Sequence, residues 1–238
     1  TSKSPLAAAA LDAAKLGLDR LEKCAKFAAE GGWRAFGARE GVDIHVTESF
    51  TTPLHSSPLN GSVGTGVVNA APDDVLRAIT EPSVRHVVDN LWDATVLLCS
   101  VPAEEAAAAA PAGWVIESLV VEHSHFRPPA IVVAPRESIV AKVVARSSAG
   151  SIRIAFVSLP LASVAHIPVR RGHVRLDCVI SGSAIDAISD ASPPSSRMSF
   201  VSVLDPNGSV PKWVVRKTMP DRALMVARVR KAVVALAP

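Results

Sequence analysis

A chain of 238 residues with 49% hydrophobic content and a mean hydropathy of +0.30 can fill one large interior, or an interior plus an apolar cavity. The net charge of +3 supplies no global field for nucleic acid, and a set of 4 Trp, 6 Phe and no Tyr makes a poor base-stacking platform. Three widely spaced cysteines, Cys24, Cys99 and Cys178, lack any Cys-x-x-Cys pair, which points to free thiols in a reducing compartment.

In chain order, Pro5 to Glu30 mixes Leu6, Leu11, Leu16, Leu18, Leu21 and Ala25 with charged residues as an amphipathic helix does, and Gly31-Gly32 ends it. Two strands follow, Trp33 to Ala38 and then a half-exposed strand in which Val42, Ile44 and Val46 alternate with Asp43, His45 and Thr47. Thr51 to Gly61, with Pro53, Pro58 and Asn60-Gly61, reads as a loop. Val63 to Ala70 reads as a strand whose Gly64 and Gly66 allow a neighbour to approach closely. Pro72-Asp73-Asp74 opens a helix that Pro82 restarts or kinks. Strands are expected over Ala94 to Val101, Trp114 to Glu122, Ile131 to Arg146, Ser151 to Leu159, His173 to Ile185 and Arg197 to Leu204, with the alanine-rich stretch Pro102 to Gly113 as an inserted loop or short helix. The longest uncharged apolar run, Ile154 to Val169, contains Pro160 and Pro168 and is a strand and loop rather than a membrane span.

The C-terminal stretch is the most informative. Asp205-Pro206-Asn207-Gly208 stops the last strand, because Pro presets φ and Asn-Gly tolerates positive φ. Ser209 is placed to cap a helix and Pro211 suits its first turn. Pro220 is expected to bend that helix, with Thr218 and Asp221 spaced like a capping box for its second half, where Met225, Val229, Ala232, Val233 and Leu236 form one apolar stripe. A helix this apolar on one face must lie on something apolar, and the strands are the large candidate. The layout is α+β: a curved antiparallel sheet gripping a long C-terminal helix.

The order of strand, Asp205-Pro206-Asn207-Gly208-Ser209-Val210-Pro211-Lys212-Trp213 and helix resembles the C-terminal signature of START domains, the StAR-related lipid-transfer family. Leu91-Trp92-Asp93 resembles the family's Trp-Asp, and Ala134-Pro135-Arg136-Glu137 its Pro-Arg-Asp strand entry, with Glu in place of Asp. The resemblance runs from about Trp33 to Val234. It implies a helix-grip fold with an internal apolar cavity, residues 31–238 forming the lipid-binding unit and the helix over 1–30 belonging to the same domain. It also implies non-enzymatic binding and transfer or sensing of a single sterol or phospholipid, by a cytoplasmic monomer that touches membrane surfaces transiently, with no cofactor and no nucleic-acid partner.

Several side chains are candidates for contact with such a ligand. Glu122 and Lys142 each sit in an otherwise apolar strand; by alternation Glu122 shares a face with Ile116, Ser118 and Val120, and Lys142 with Val140 and Val144. Facing inward they would form a buried ion pair beside the ligand, and facing outward they are solvated edge charges. Sterol-binding START members carry a cavity Glu and Arg on the corresponding strands, and Lys is a point donor rather than a planar fork. The resemblance makes Phe126, in a loop from His123 to Pro129, a rim residue at the tunnel mouth. Met225, Val229 and Val233 are expected on the cavity wall, and Trp213 is expected in the core or against ligand.

From Ser209 onward seven basic residues, Lys212, Arg216, Lys217, Arg222, Arg228, Arg230 and Lys231, face Asp221 alone, which suits an anionic membrane surface or simply a solvated helix face. His123-Ser124-His125 places two imidazoles on one strand face, but the neighbouring sequence advertises no third zinc ligand, so it reads as a polar cluster. Two other functions fit the pattern. One is an enzyme on the same scaffold, a cyclase or hydrolase using Glu122 with His123 or His125; the other is an interaction module with a filled core.

Overall fold

The computed structural model describes residues 4–127 and 133–237. Helix α1 (Pro5–Ala29) leads into strands β1 (Arg34–Arg39), β2 (Val42–Thr52) and β3 (His55–Val68), then helices α2 (Pro72–Thr80) and α3 (Arg85–Val88). Strand β4 (Trp92–Ser100), the short helix α4 (Ala103–Ala106), and strands β5 (Trp114–Phe126), β6 (Arg136–Ser147) and β7 (Ile152–Ser158) follow. The chain ends with helix α5 (Leu161–Val164), strands β8 (Val174–Arg175), β9 (Asp177–Ala187) and β10 (Ser196–Asp205), and helices α6 (Lys212–Ala223) and α7 (Met225–Ala235). The strands form one sheet in the order β1-β2-β3-β10-β9-β7-β6-β5-β4, antiparallel throughout, with β8 running parallel beside β6.

Period-two alternation gives this sheet two apolar faces. One carries Leu119, Val121, Ile139, Ala141, Val143, Ala155 and Val157 and is covered by α1. The buried side of α1 is small, with Ala7, Ala10, Ala13, Ala14 and Gly17 beside Leu18 and Leu21, so the helix sits close to β7. A Cβ on Gly17 would stand 2.9 Å from Val157 Cγ2. Arg153 ties the helix down by pairing with Glu22 of α1 and Asp186 of β9 while lying 5.0 Å over the Trp114 ring. The other face carries Val42, Ile44, Ile152, Ile154, Met198 and Phe200, and receives α2, α3, α6 and α7. Gly64 and Gly66 make that docking possible: a Cβ on Gly64 would stand 2.1 Å from the Ala223 carbonyl oxygen, and one on Gly66 2.6 Å from Arg230 Nη2.

Several local expectations are corrected. Thr51 to Gly61 is mostly strand, turning only around Pro53 and Leu54, because β2 pairs with β3 as far as Thr52 and His55, whose side chains hydrogen-bond at 2.8 Å. Pro58 is tolerated because β10 pairs with β3 only from Asn60 onward, leaving the edge beside Pro58 free of a ladder. Helix α6 runs through Pro220 and breaks at Leu224. No capping box forms, since the Thr218 hydroxyl donates back to the Val214 and Val215 carbonyls at 2.9 and 3.2 Å. Pro211 occupies the N-cap position with no side-chain cap.

Ile116 lies on the α1 face rather than with Glu122, because a bulge between Ile116 and Ser118 shifts the alternation. His123 to Phe126 belong to β5 rather than to a loop. Pro128 and Pro129 of that expected loop, and Ile131 and Val132 of the expected strand start, lie outside the described residues.

Candidate functional site

Between the sheet and helices α3, α6 and α7 lies a cavity with about 180 Å³ of water-accessible space, many times the roughly 10–15 Å³ that one water occupies. Val140, Phe156, Phe200, Met219 and Met225 make its walls predominantly apolar. Ser124 of β5, Ser138 of β6, and Ser181 and Ser183 at alternate positions of β9 line the same space.

The polar end of the cavity comes from α3 and α6. Arg85 and Asp89 stand one helical turn apart after Pro82, both on the cavity side, and Arg222 Nη1 donates to Asp89 Oδ1 at 2.9 Å with both side chains buried. Burial alone would push the Asp89 carboxyl upward, but the Arg222 guanidinium, joined by Arg85 and the Leu91 N–H, overrides it and holds the carboxyl below the ordinary carboxylate value. Arg222 is thus the ion-pair partner of Asp89, while Arg85 donates from Nη1 to the Ile79 carbonyl at 3.4 Å. The Nε atoms of Arg85 and Arg222 are buried without a hydrogen-bond partner, so this end carries unused donors.

Beside the cavity the three motifs converge. Arg136, itself buried, donates from Nε to the Pro206 carbonyl at 2.8 Å and from Nη2 to the Asn207 carbonyl at 3.0 Å. That fixes the Asp205-Pro206-Asn207-Gly208 turn, in which Asn207 and Gly208 adopt φ of 49° and 63° and Asp205 Oδ1 accepts from the Asn207 N–H. The Trp92-Asp93 pair joins them through Phe126, which lies between Trp92 and Arg136 in the sheet; Asp93 binds Arg127 at 2.7 Å and the Arg127 N–H donates to the Leu91 carbonyl at 2.8 Å. Phe126, Val133, Val210 and Val214 line the cavity beside these contacts.

Among the residues expected to meet ligand, Phe126 and Met225 line this cavity. Glu122 and Lys142 do pair, at 3.1 Å with side chains 13% and 16% exposed, on the cavity-side face of the sheet. They stand next to Ser124 and Val140 along β5 and β6, outside the cavity wall, as do Val120 and the buried Val144. Val229 is fully buried under α7 in the helix–sheet core, and Val233 borders a separate surface depression with Leu236. Trp213 is 58% exposed and precedes Val214, which lines the cavity. Arg85 and Asp89 belong to no motif of the sequence. The available signal was an Arg and an Asp at i, i+4 with Val84, Val87 and Val88 between and around them.

The seven C-terminal cations do not form one free face. Arg222 turns inward, Arg228 donates to the Asp221 carbonyl, Arg230 donates to the carbonyls of Glu40, Gly41 and Val67, and Lys231 pairs with Glu40. Arg216 and Lys217 remain exposed. His123 and His125 point to the α1 face, away from the cavity, so an acid–base pairing of Glu122 with either imidazole is not formed.

A START domain family model matches residues 75–237, more than half of the chain, and the protein belongs to the START domain family. The fold is also similar to solved structures. Human StAR-related lipid transfer protein 5 superposes with a TM-score of 0.72 at 19% identity, covering 94% of this chain and 97% of that one. Human STARD10 gives 0.64 at 19% identity, covering 86% and 74%, and the lipid transfer and protein localization domain of human StarD13 gives 0.63 at 18%, covering 90% and 95%. A sequence comparison with curated proteins finds no match. Among the described residues no helix is long and apolar enough to cross a membrane.

Proposed function

We propose that this chain binds one amphipathic lipid in the cavity and carries it between membranes, or reports its presence, without covalent chemistry. The observation that carries the reading is the mainly apolar cavity closed at one end by Arg85, Asp89 and Arg222. Apolar walls favour a hydrocarbon body by about 25 cal/mol for each Å² withdrawn from water. The unused Arg85 and Arg222 donors favour a polar end rich in acceptor oxygens: a phosphate, carboxylate, carbonyl or hydroxyl. Entry is past Phe126, Val210 and Val214, with α6 moving away from the sheet at a membrane where the exposed Trp213 inserts among head groups.

Native mass spectrometry of protein purified from cells, with one-to-one binding of a fluorescent sterol or phospholipid analogue, tests this. Met219→Trp fills the cavity from α6, so the folded variant should lose both the co-purifying mass and the analogue. Undiminished binding in folded Met219→Trp would remove the cavity from the function and favour an interaction module.

A further inference from the structure

On the sheet face opposite the cavity, we infer that His123, His125 and Glu137 form a binding site for a divalent transition metal of the zinc type, with His173 beside it. The three residues come together through strand pairing: His125 lies directly across from Glu137 in the β5–β6 ladder, and His123 is two residues along on the same face. One ligand atom from each lies within 4.8 Å of the others, and His123 Nε2 is 3.4 Å from Glu137 Oε1. Donors bound at about 2.0–2.2 Å around a tetrahedral ion are separated by roughly 3.3–3.6 Å, so the cluster needs little contraction to close on one.

Two features separate this cluster from an ordinary polar patch. His123 Nε2 and His125 Nδ1 are both buried without a hydrogen-bond partner, and His125 is only 9% exposed. Orphaned ring nitrogens in such a place call for a ligand. Glu137, fully buried, is already oriented from behind: the Arg170 N–H donates to Oε2 at 2.9 Å, and Arg175 donates to Oε1 from Nε at 3.1 Å and Nη2 at 2.7 Å. That is the outer hydrogen-bonding shell a ligating carboxylate requires.

His173 packs edge-on to His125 with ring centroids 5.6 Å apart, and its Nδ1–H donates to the Arg171 carbonyl at 3.4 Å, which holds this third imidazole beside the three-residue cluster. Two imidazoles with one carboxylate suit zinc and its imidazole-seeking neighbours and are poor for magnesium or calcium. The ion would join β5 and β6 to the segment around Arg170 to Arg175.

The test is a Co²⁺ titration of the chelator-treated full chain, read by visible absorption and followed by Zn²⁺ competition. One Co²⁺ per chain with tetrahedral-type bands, displaced by one equivalent of Zn²⁺ and not by Mg²⁺, is expected. His123→Gln and His125→Gln should abolish the bands, and Arg175→Lys should weaken binding roughly 10–100-fold through the outer shell. Absence of bands, or bands unchanged in both Gln variants, would show a polar cluster only. Should the Gln variants not fold, Zn²⁺ must protect His123 and His125 of the unaltered protein from diethyl pyrocarbonate, and equal modification with and without Zn²⁺ overturns the site.

Discussion

At the scale of single residues, Asp89 is the most consequential side chain of the cavity. It is 4% exposed and is the partner of Arg222, so Asp89→Asn strands a buried guanidinium and should cost about 3–5 kcal/mol, seen as a large drop in melting temperature. The sign of the pH effect follows from the direction of its shift. A carboxyl held below the unfolded value of about 3.9 contributes fully at neutral pH, and that contribution is lost as pH falls from about 4 through the folded value. Melts between pH 7 and 3 should therefore show a steeper acid loss in the native protein than in a folded Asp89→Asn. Parallel acid slopes would place the acid sensitivity elsewhere.

The thiols make a second residue-scale prediction. Burial pushes Cys24 up to about 11 and Cys178 up to about 12, whereas Cys99 is partly open on the edge strand β4. Maleimide in native buffer should label Cys99 first, and mass spectrometry of the labelled chain checks the order. Cys178 lines the cavity, so any slow labelling there should fall further when lipid is bound.

At the scale of elements, docking of the C-terminal helices depends on the bare backbone of β3. Gly64→Val would drive a side chain into the Ala223 carbonyl and push α6 and α7 off the sheet, so it should lower the melting temperature sharply and abolish lipid binding together. In the proposed function, membrane contact falls to the start of α6. Trp213→Ala should slow vesicle-to-vesicle transfer more than it weakens equilibrium binding, because Trp213 is exposed and outside the cavity wall. Arg216→Glu with Lys217→Glu should reduce the acceleration by anionic vesicles, an effect screened at high salt. Much of this was written along the chain. The Asp-Pro-Asn-Gly turn, the glycine approach on β3 and the helical stripe after Met225 are local patterns, and each occupies the element expected of it. The bulge after Ile116 and the passage of α6 through Pro220 were not legible, since each is set by packing of the neighbouring strand or helix rather than by the local residues.

For the whole molecule, residue order alone determined the α+β layout and the START resemblance, because hydrophobic period and turn chemistry are local properties that survive in one dimension. It also marked the two imidazoles of His123 and His125 and the Glu of the Pro-Arg-Glu entry, yet as unrelated features. Only the tertiary structure decided which cations turn inward and where the polar end of the cavity lies. Arg222 reads as one more basic residue on a helix face until Asp89, 133 positions away, is packed against it. Likewise Glu137 joins His125 only through the register of β5 on β6, and Glu122 with Lys142 fall outside the cavity wall although alternation puts them on its side of the sheet. The physical reason is common to all of these. Alternation fixes the face a side chain takes, while its neighbours on that face are fixed by strand register and helix docking, which are long-range contacts that no window of sequence contains.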